Sequence, residues 1–277
     1  MAERAIIGLT DWLKTPAGGY VLQWEQTHLD TAVADLFGFH ALQLGLPELD
    51  ALRANRMPHR WVASEAANLP DDVHMHMHVH AHAHAPPRTA IALHCDFDAL
   101  PFDSSSLDLV VLPHALELAR DPHLALREVE RVLVPEGRVV VVGFNPASLW
   151  GMRQRLGHGG RRLAPRASRP LFLPSGGEFM RYGRLRDWLR LLSFEVEAGR
   201  FGCYRPPVAA QKWLARFEWM DRAGERWWPV FGAVYFVVAV KRVRGMRLVG
   251  LVREQRKPAH APAPVVATHH TIEKESE

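Results

Sequence analysis

The sequence predicts an α/β fold with a parallel sheet and helices on its faces. Two almost uninterrupted apolar runs, LDLVVL at 107–112 and RVVVVGF at 138–144, have the composition of strands buried on both faces. Between them lies a segment with apolar residues at helical spacing, which begins with the cap pair Asp121 and Pro122. Strand, helix and strand at these intervals form the βαβ unit of a parallel sheet.

The segments before this unit fit the same plan. Thr15 and Pro16 are typical of a helix start, and apolar residues then recur at helical spacing. We expect this helix to end by Gly38. Three short strands are expected next, over 41–46, 61–64 and 89–93.

The second half of the chain begins with a basic segment. Residues 147–170 carry six arginines and no acid, and Gly157, Gly159 and Gly160 are expected to break any helix there. We therefore expect a basic, mobile insertion over 147–180. A helix over 185–192, the strand FEVEAGRF, a tryptophan-rich helix and a last strand over 230–240 complete the expected elements.

The length of 277 residues and a hydrophobic content of 48% allow one large domain. We expect this domain over 15–244, with an N-terminal extension at 1–14 and a histidine-rich insertion at 65–87. The residues at 245–277 are rich in Pro, Ala, His and Glu and show little apolar periodicity, so a disordered tail is expected there.

The composition favours a cytoplasmic protein. With 34 basic and 30 acidic residues, the net charge of +4 is too small to predict nucleic-acid binding. Cys95 and Cys203 are the two cysteines, which excludes a disulfide-stapled fold and fits a reducing compartment. No secretory signal is recognisable, and the apolar run at 230–240 is shorter than the roughly 20 residues of a membrane helix, so no transmembrane segment is expected.

The stretch HMHMHVHAHAHA, at 74–85, has a histidine at every second position. In a strand, this alternation would place the imidazoles on one face, where they would suit a metal ion. The alternative is a low-complexity insertion that binds metal adventitiously, and we favour it because no acids or cysteines stand at a matching spacing. We therefore expect no dedicated metal site.

A continuous stretch from Cys95 to Pro146 contains three motifs: LPF at 100–102, HALE at 114–117 and RVLVPEGR at 131–138. In this order, they closely resemble the second half of a class I S-adenosylmethionine-dependent methyltransferase domain. The final strand after a tryptophan-rich helix also resembles the reversed seventh strand of that family. The resemblance implies a Rossmann-like, seven-stranded, mostly parallel sheet with helices on both faces, and S-adenosylmethionine as the cofactor.

The resemblance also implies roles for residues at the ends of the later strands. Asp96 would accept a hydrogen bond from the adenine amino group, and the backbone N–H of Phe97 would meet a ring nitrogen. Pro113 and His114 would flank the methionine part of the cofactor. His114 is the candidate general base. The alternative, to which we give equal weight, is that His114 only starts the helix that follows β-strand 107–112.

The glycine-rich loop of the family, D-x-G-x-G-x-G, corresponds here to QLGLPELD at 43–50. Gln43 replaces the acid, Gly45 remains, and Leu49 stands where a further glycine would be. Gly45 and Leu46 are then the cofactor-binding positions of this loop, and Glu65 is the candidate acid for the ribose hydroxyls. If this loop limits affinity, a glycine at position 49 is expected to strengthen binding.

Two functions are compatible with these motifs. The first is methyl transfer from S-adenosylmethionine to an unidentified acceptor, and the second is a catalytically silent module that binds a partner or a small ligand through the same cleft. The arginines of 147–170 would suit an acidic substrate or form a solvated loop, and the lack of interleaved aromatic residues disfavours nucleic acid. Trp227 and Trp228 beside basic residues would suit a peripheral membrane contact, although packing is the commoner role of tryptophan.

Overall fold

The computed structural model describes residues 8–65, 92–163, 172–174 and 179–242. The histidine tract and the C-terminal residues from 243 lie outside the described residues, so the expectations for them stay predictions. Among the described residues, no helix is both long and apolar enough to cross a bilayer. In the same part of the chain, no three metal-ligating side chains cluster around a possible ion position.

The described strands form one seven-stranded sheet, in the order β3-β2-β1-β4-β5-β7-β6. β1 to β5 run parallel, and β7 lies antiparallel between β5 and β6. This architecture confirms the predicted α/β fold with a mostly parallel sheet and a reversed seventh strand. The strands are β1 (His40–Leu44), β2 (His59–Glu65), β3 (Leu93–Cys95), β4 (Leu107–Pro113), β5 (Leu133–Phe144), β6 (Phe194–Gly202) and β7 (Val234–Lys241).

Helices cover both faces of the sheet. One apolar core contains residues of α1, α2, α5 and α7, and the other contains residues of α4 and α6. The fully apolar strands are buried because both of their faces meet helices. The helices are α1 (Leu9–Leu13), α2 (Pro16–Ala34), α3 (Ala115–Leu118), α4 (Pro122–Val132), α5 (Leu149–Leu163), α6 (Tyr182–Leu191), α7 (Gln211–Arg216) and α8 (Trp219–Trp227).

The predicted caps are present at the starts of α2 and α4. The Thr15 hydroxyl accepts a hydrogen bond from the Gly18 N–H at 3.2 Å. The Asp121 carboxylate accepts from the N–H groups of His123 and Leu124, at 2.9 and 3.1 Å. Each bond satisfies a donor that the first helical turn cannot pair internally.

The prediction that glycines interrupt any helix after residue 147 is wrong. α5 continues through Gly157, Gly159 and Gly160 because its first half is anchored to the domain. The indole of Trp150, which is fully buried, donates to the Arg205 carbonyl at 2.7 Å. Such packing outweighs the intrinsic penalty of about 1 kcal/mol for each glycine. The basic segment therefore starts as a helix.

Other boundaries also differ from expectation. Leu9 and Leu13 of α1 are buried in the core, so the residues expected to form an N-terminal extension contribute to the domain. The third strand lies at Leu93–Cys95, at the end of the expected range, and the tryptophan-rich segment forms two helices, α7 and α8. The last strand begins at Val234, because Pro229–Phe231 forms a short 3-10 helix.

The connection between β1 and β2 contains no helix. Residues 45–58 are all described and form only turns and bends. A doubly wound fold normally places a helix here, with its N-terminus directed at the ligand. Instead, the Asn55 side-chain amide donates to the carbonyls of Val33 and Leu36, at 2.8 and 3.2 Å, and holds the connection against the end of α2.

Candidate functional site

A small pocket lies at the carboxyl edge of the sheet, where β2, β3 and β4 end. Ligands of open α/β folds bind at this edge because the loops after parallel strands converge there. Glu65 ends β2 and pairs with Cys95, the last residue of β3, so that Asp96 and Phe97 follow next to Glu65. The pocket is lined by Glu65, Asp96, Phe97, Asp98, Ala119, Arg120 and Asp121. Three of the site residues suggested by the sequence thus come together.

The pocket is acidic. Partial burial raises the pKa of the Glu65 carboxyl, and the negative charge of Asp96 raises it further, whereas Arg120 opposes these effects. Ionised carboxylates only accept hydrogen bonds, so the pocket suits a ligand that offers hydroxyl and amino donors. A nucleoside offers both, through its ribose and its amino group.

The loop after β1 is held in a closed shape by Gln43. The fully buried side-chain amide of Gln43 lies 2.8–3.1 Å from the carbonyl oxygens of Gly45, Leu46 and Leu49. Its oxygen accepts the Ala51 N–H at 3.0 Å. An ionised acid at this position has no donor for the three carbonyls, so the replacement of the acid by glutamine is part of the loop's structure.

Side chains lie close to this loop. A Cβ atom on Gly45 would be in ordinary van der Waals contact with the Phe97 ring at 3.7 Å and with the Ala115 Cβ at 3.6 Å. Leu46, which has a φ of +43°, and Leu49 are both nearly inaccessible to solvent. The site therefore has an open half at Glu65 and Asp96, and a closed half at Gln43, Gly45 and Phe97.

These observations test the fit of S-adenosylmethionine. The open half matches the nucleoside part, because carboxylates stand at the ends of β2 and β3 as the resemblance requires. The closed half does not fit the methionine part, because protein side chains lie against Gly45 and no helix N-terminus follows the loop. In this conformation, only the nucleoside end of the cofactor finds groups of matching chemistry.

His114 lies inside the protein and not at the cleft. Its imidazole is fully buried, with Nε2 at 2.8 Å from Glu25 Oε1 and Nδ1 at 2.9 Å from Glu117 Oε2. Both ring nitrogens are thus occupied by carboxylates, and the prediction that His114 acts as a general base facing the substrate is not supported by this geometry. Pro113, at the end of β4, is buried as well.

The charge state of His114 follows from its neighbours. Burial alone would lower its pKa, but the negative charges and hydrogen bonds of Glu25 and Glu117 raise the pKa of His114 to about 10. The raised pKa favours the protonated imidazole at neutral pH, although burial raises the pKa of the neighbouring Glu117 carboxyl as well. Glu117 also accepts the Phe144 N–H from β5, and Glu25 Oε2 has no partner among the described residues. This triad joins α2 to the ends of β4 and β5.

Sequence reasoning missed Glu25, although a signal for it exists. Val21, Glu25, Leu29 and Val33 follow each other at intervals of four residues, so Glu25 interrupts the apolar face of α2. A lone acid within such a stripe indicates a buried partner. The partner is His114, and Glu117, the last residue of the HALE motif, is the second acid that contacts it. No comparable signal marks Arg120 as a pocket residue.

The methyltransferase domain family model matches residues 61–141 of the chain. The matched range contains Glu65, Asp96, Phe97 and His114. It also includes most of the stretch from Cys95 to Pro146 on which the resemblance to class I methyltransferases rests.

Among curated proteins, the uncharacterized protein YafS of Escherichia coli (strain K12) is 29% identical over 252 residues, which cover 89% of this chain and 87% of that protein. A malonyl-[acyl-carrier protein] O-methyltransferase of Halorhodospira halophila is 43% identical over 58 residues, 21% of this chain and 20% of that enzyme. Among solved structures, the methyltransferase of a Haloferax volcanii complex with the Trm112 activator aligns with a TM-score of 0.49 and 19% identity, over 86% of this chain and 97% of that one.

Proposed function

We propose that the chain is an S-adenosylmethionine-dependent methyltransferase that acts on an acceptor still to be identified. The observation that carries the proposal is the common pocket of Glu65, Asp96 and Phe97 at the carboxyl edge of the sheet. The match of residues 61–141 to the methyltransferase domain supports it. When bound, the cofactor supplies an electrophilic methyl group, and the protein mainly positions the two partners.

Each pocket residue has a role in this proposal. The Glu65 carboxylate accepts hydrogen bonds from the ribose hydroxyls, and Asp96 accepts one from the adenine amino group. The backbone N–H of Phe97 donates to the adenine ring. His114 acts through its neighbours as a positioning residue, because it fixes the loop after β4 to α2.

A second cavity suggests where the acceptor enters. It has a volume of about 380 Å³ and shares Arg120 and Asp121 with the acidic pocket. Arg184, whose guanidinium lies 4.8 Å from the Trp188 ring centroid, is on its other side. The two arginines favour an acceptor that carries a negatively charged group.

The first experiment is calorimetric titration of S-adenosylmethionine, and of its demethylated product, into the protein. We expect micromolar binding that Asp96→Ala weakens by about tenfold to a hundredfold, since a hydrogen bond to a charged group contributes about 1.5–3 kcal/mol. The matched control is Asp103→Ala, an exposed aspartate outside the pocket lining. Equal affinity of both variants would remove Asp96 from the site.

The alternative is a catalytically silent methyltransferase-like module. The closed loop at Gln43 favours it, because side chains lie within contact distance of Gly45 and leave little room for the methionine part. It predicts that neither compound binds at millimolar concentration, while an adenine nucleoside alone still binds at the acidic pocket. Binding of the whole cofactor that Asp96→Ala abolishes would favour the methyltransferase and would justify a screen of anionic acceptors. Methyl transfer to an acceptor in that screen would reject the alternative.

A further inference from the structure

α5 exposes apolar side chains on the face that points away from the core. Leu149, Met152 and Leu156 are 45%, 53% and 70% exposed, and their spacing places them along one side of the helix. Trp150 and Gln154, on the opposite side, are buried. A surface helix normally turns polar residues outward, so this apolar stripe indicates a surface that contacts something.

A second exposed apolar segment lies beside this stripe. Trp227 at the end of α8 is 75% exposed. Trp228 follows it, Val230 and Phe231 lie in the 3-10 helix, and all three have more than a third of their surface accessible. A cavity of about 310 Å³ joins the two segments, because Leu149 lines one side and Trp228 and Phe231 line the other. We call these residues the apolar ridge: Leu149, Met152, Leu156, Trp227, Trp228, Val230 and Phe231.

Positive charge surrounds the ridge on α5. Arg153 and Arg155 flank the stripe on its two sides, and both are exposed. Arg153 is held in place, since it donates to the Pro207 carbonyl and lies 4.7 Å from the Phe172 ring centroid. The sequence of 147–170 contains no acid to neutralise these arginines.

We propose that the apolar ridge docks on an anionic lipid bilayer. Apolar side chains flanked by arginines are the pattern of helices that lie in a membrane interface. Tryptophan is enriched at that interface because its ring is apolar and its N–H is polar. Anionic headgroups attract exposed arginines near the surface. This inference does not depend on methyl transfer.

The test is flotation of the full-length protein with vesicles of phosphatidylcholine alone or mixed with phosphatidylglycerol. We expect binding to the mixed vesicles that decreases as salt is raised, and weak binding to phosphatidylcholine. Leu156→Ser and Phe231→Ser should each reduce binding about tenfold, since burial of a large apolar side chain contributes about 1.5–3 kcal/mol. Arg155→Glu should also weaken binding to the anionic vesicles.

Matched controls lie on α6, whose residues pack on the other side of the sheet. Leu191→Ser replaces a leucine that is 75% exposed, and Arg186→Glu reverses an exposed arginine. Both should bind vesicles like the unchanged protein.

Equal binding of ridge and control variants would overturn the proposal, and so would binding that is independent of phosphatidylglycerol. Concentration-dependent self-association without vesicle binding, abolished by Leu156→Ser, would instead identify a second copy as the occupant. Titration of S-adenosylmethionine into the same variants tests the proposed function separately.

Discussion

The two halves of the carboxyl edge differ in what they leave accessible. At the ends of β2 and β3, Glu65 and Asp96 line an acidic pocket. At the end of β1, Gln43 closes the loop from within and the Phe97 ring lies against Gly45. Carboxylates of the kind that suit a nucleoside thus line the open part of the sheet edge, and the adjoining part is built as protein core. Methyl transfer requires the closed half to open, whereas a silent module does not.

The largest expected effect follows from replacement of His114, which joins α2 to the ends of β4 and β5. His114→Leu leaves Glu25 and Glu117 as two buried acids without their shared cation, and we expect a loss of about 3–5 kcal/mol in the free energy of unfolding. Urea denaturation measures it, with His94→Ala as an exposed control. A change below about 1 kcal/mol, the usual size for a surface pair, would show that the triad is not a buried ion cluster.

The pH dependence of stability gives the triad a second signature. The pKa of His114 is raised in the folded chain from an ordinary value of 6.5 to about 10. Its stabilisation is therefore complete below about pH 6.5 and is lost as pH rises toward about 10. Urea midpoints of the unchanged protein should fall as the pH rises across this window. Midpoints that stay constant across it would mean that His114 is neutral in the folded state.

Gln43→Leu tests what keeps the loop closed. The substitution leaves the buried carbonyls of Gly45, Leu46 and Leu49 without their donor, and we expect a cost of about 1–3 kcal/mol. Hydrogen exchange of the loop amides should accelerate, since the loop opens more often. Gln23→Leu, on α2, is a control with the same change of side chain. Unchanged exchange in the loop would assign its closure to apolar packing alone.

Phe97→Ala tests whether the closed half limits cofactor affinity. The variant keeps the backbone N–H that the resemblance assigns to adenine and removes the ring beside Gly45. We expect S-adenosylmethionine to bind about tenfold more tightly, or about 1.4 kcal/mol, in calorimetry. Weaker binding would make the ring itself part of the site. Leu49→Gly is the second test of the same loop. Phe97 and Leu49 are both core residues, so each variant loses about 2–5 kcal/mol of stability and is titrated well below its unfolding temperature.

The smallest expected effect concerns the charge of Glu65. Because burial and Asp96 raise its pKa, the carboxyl becomes neutral at a higher pH than an ordinary glutamate. Cofactor affinity should fall a few-fold as the pH is lowered through this range, and Glu65→Gln should remove the dependence. A dependence that persists in Glu65→Gln would contradict this role of Glu65.

The sequence predicts the sheet better than the site. Apolar runs reveal β4, β5 and β7, and the caps at Thr15 and Asp121 reveal two helices, because these signals are local. The closed loop depends on contacts between residues that are distant in sequence, such as Phe97 with Gly45. Position 43 shows only that an acid is missing, and the bonds that a glutamine makes there depend on the fold of the loop.

His114 and α5 illustrate the same limit. The H-x-L-E motif places His114 after β4, but its direction is set by Glu25, which lies in the first long helix. The glycines of α5 locally disfavour a helix, and the buried Trp150 decides the outcome through a contact with Arg205. Tertiary contacts override local preference at both places.

The position of β7 has a consequence for the order in which the fold is completed during synthesis. β6 pairs with β7 alone among the described strands, and β7 also covers the outer edge of β5. Because β7 leaves the ribosome last of the seven, β5 has an unpaired edge and β6 has no partner until then. Unpaired strand edges promote aggregation, so a nascent chain that stalls before Val234 should require a chaperone, whereas a chain released after Lys241 should not.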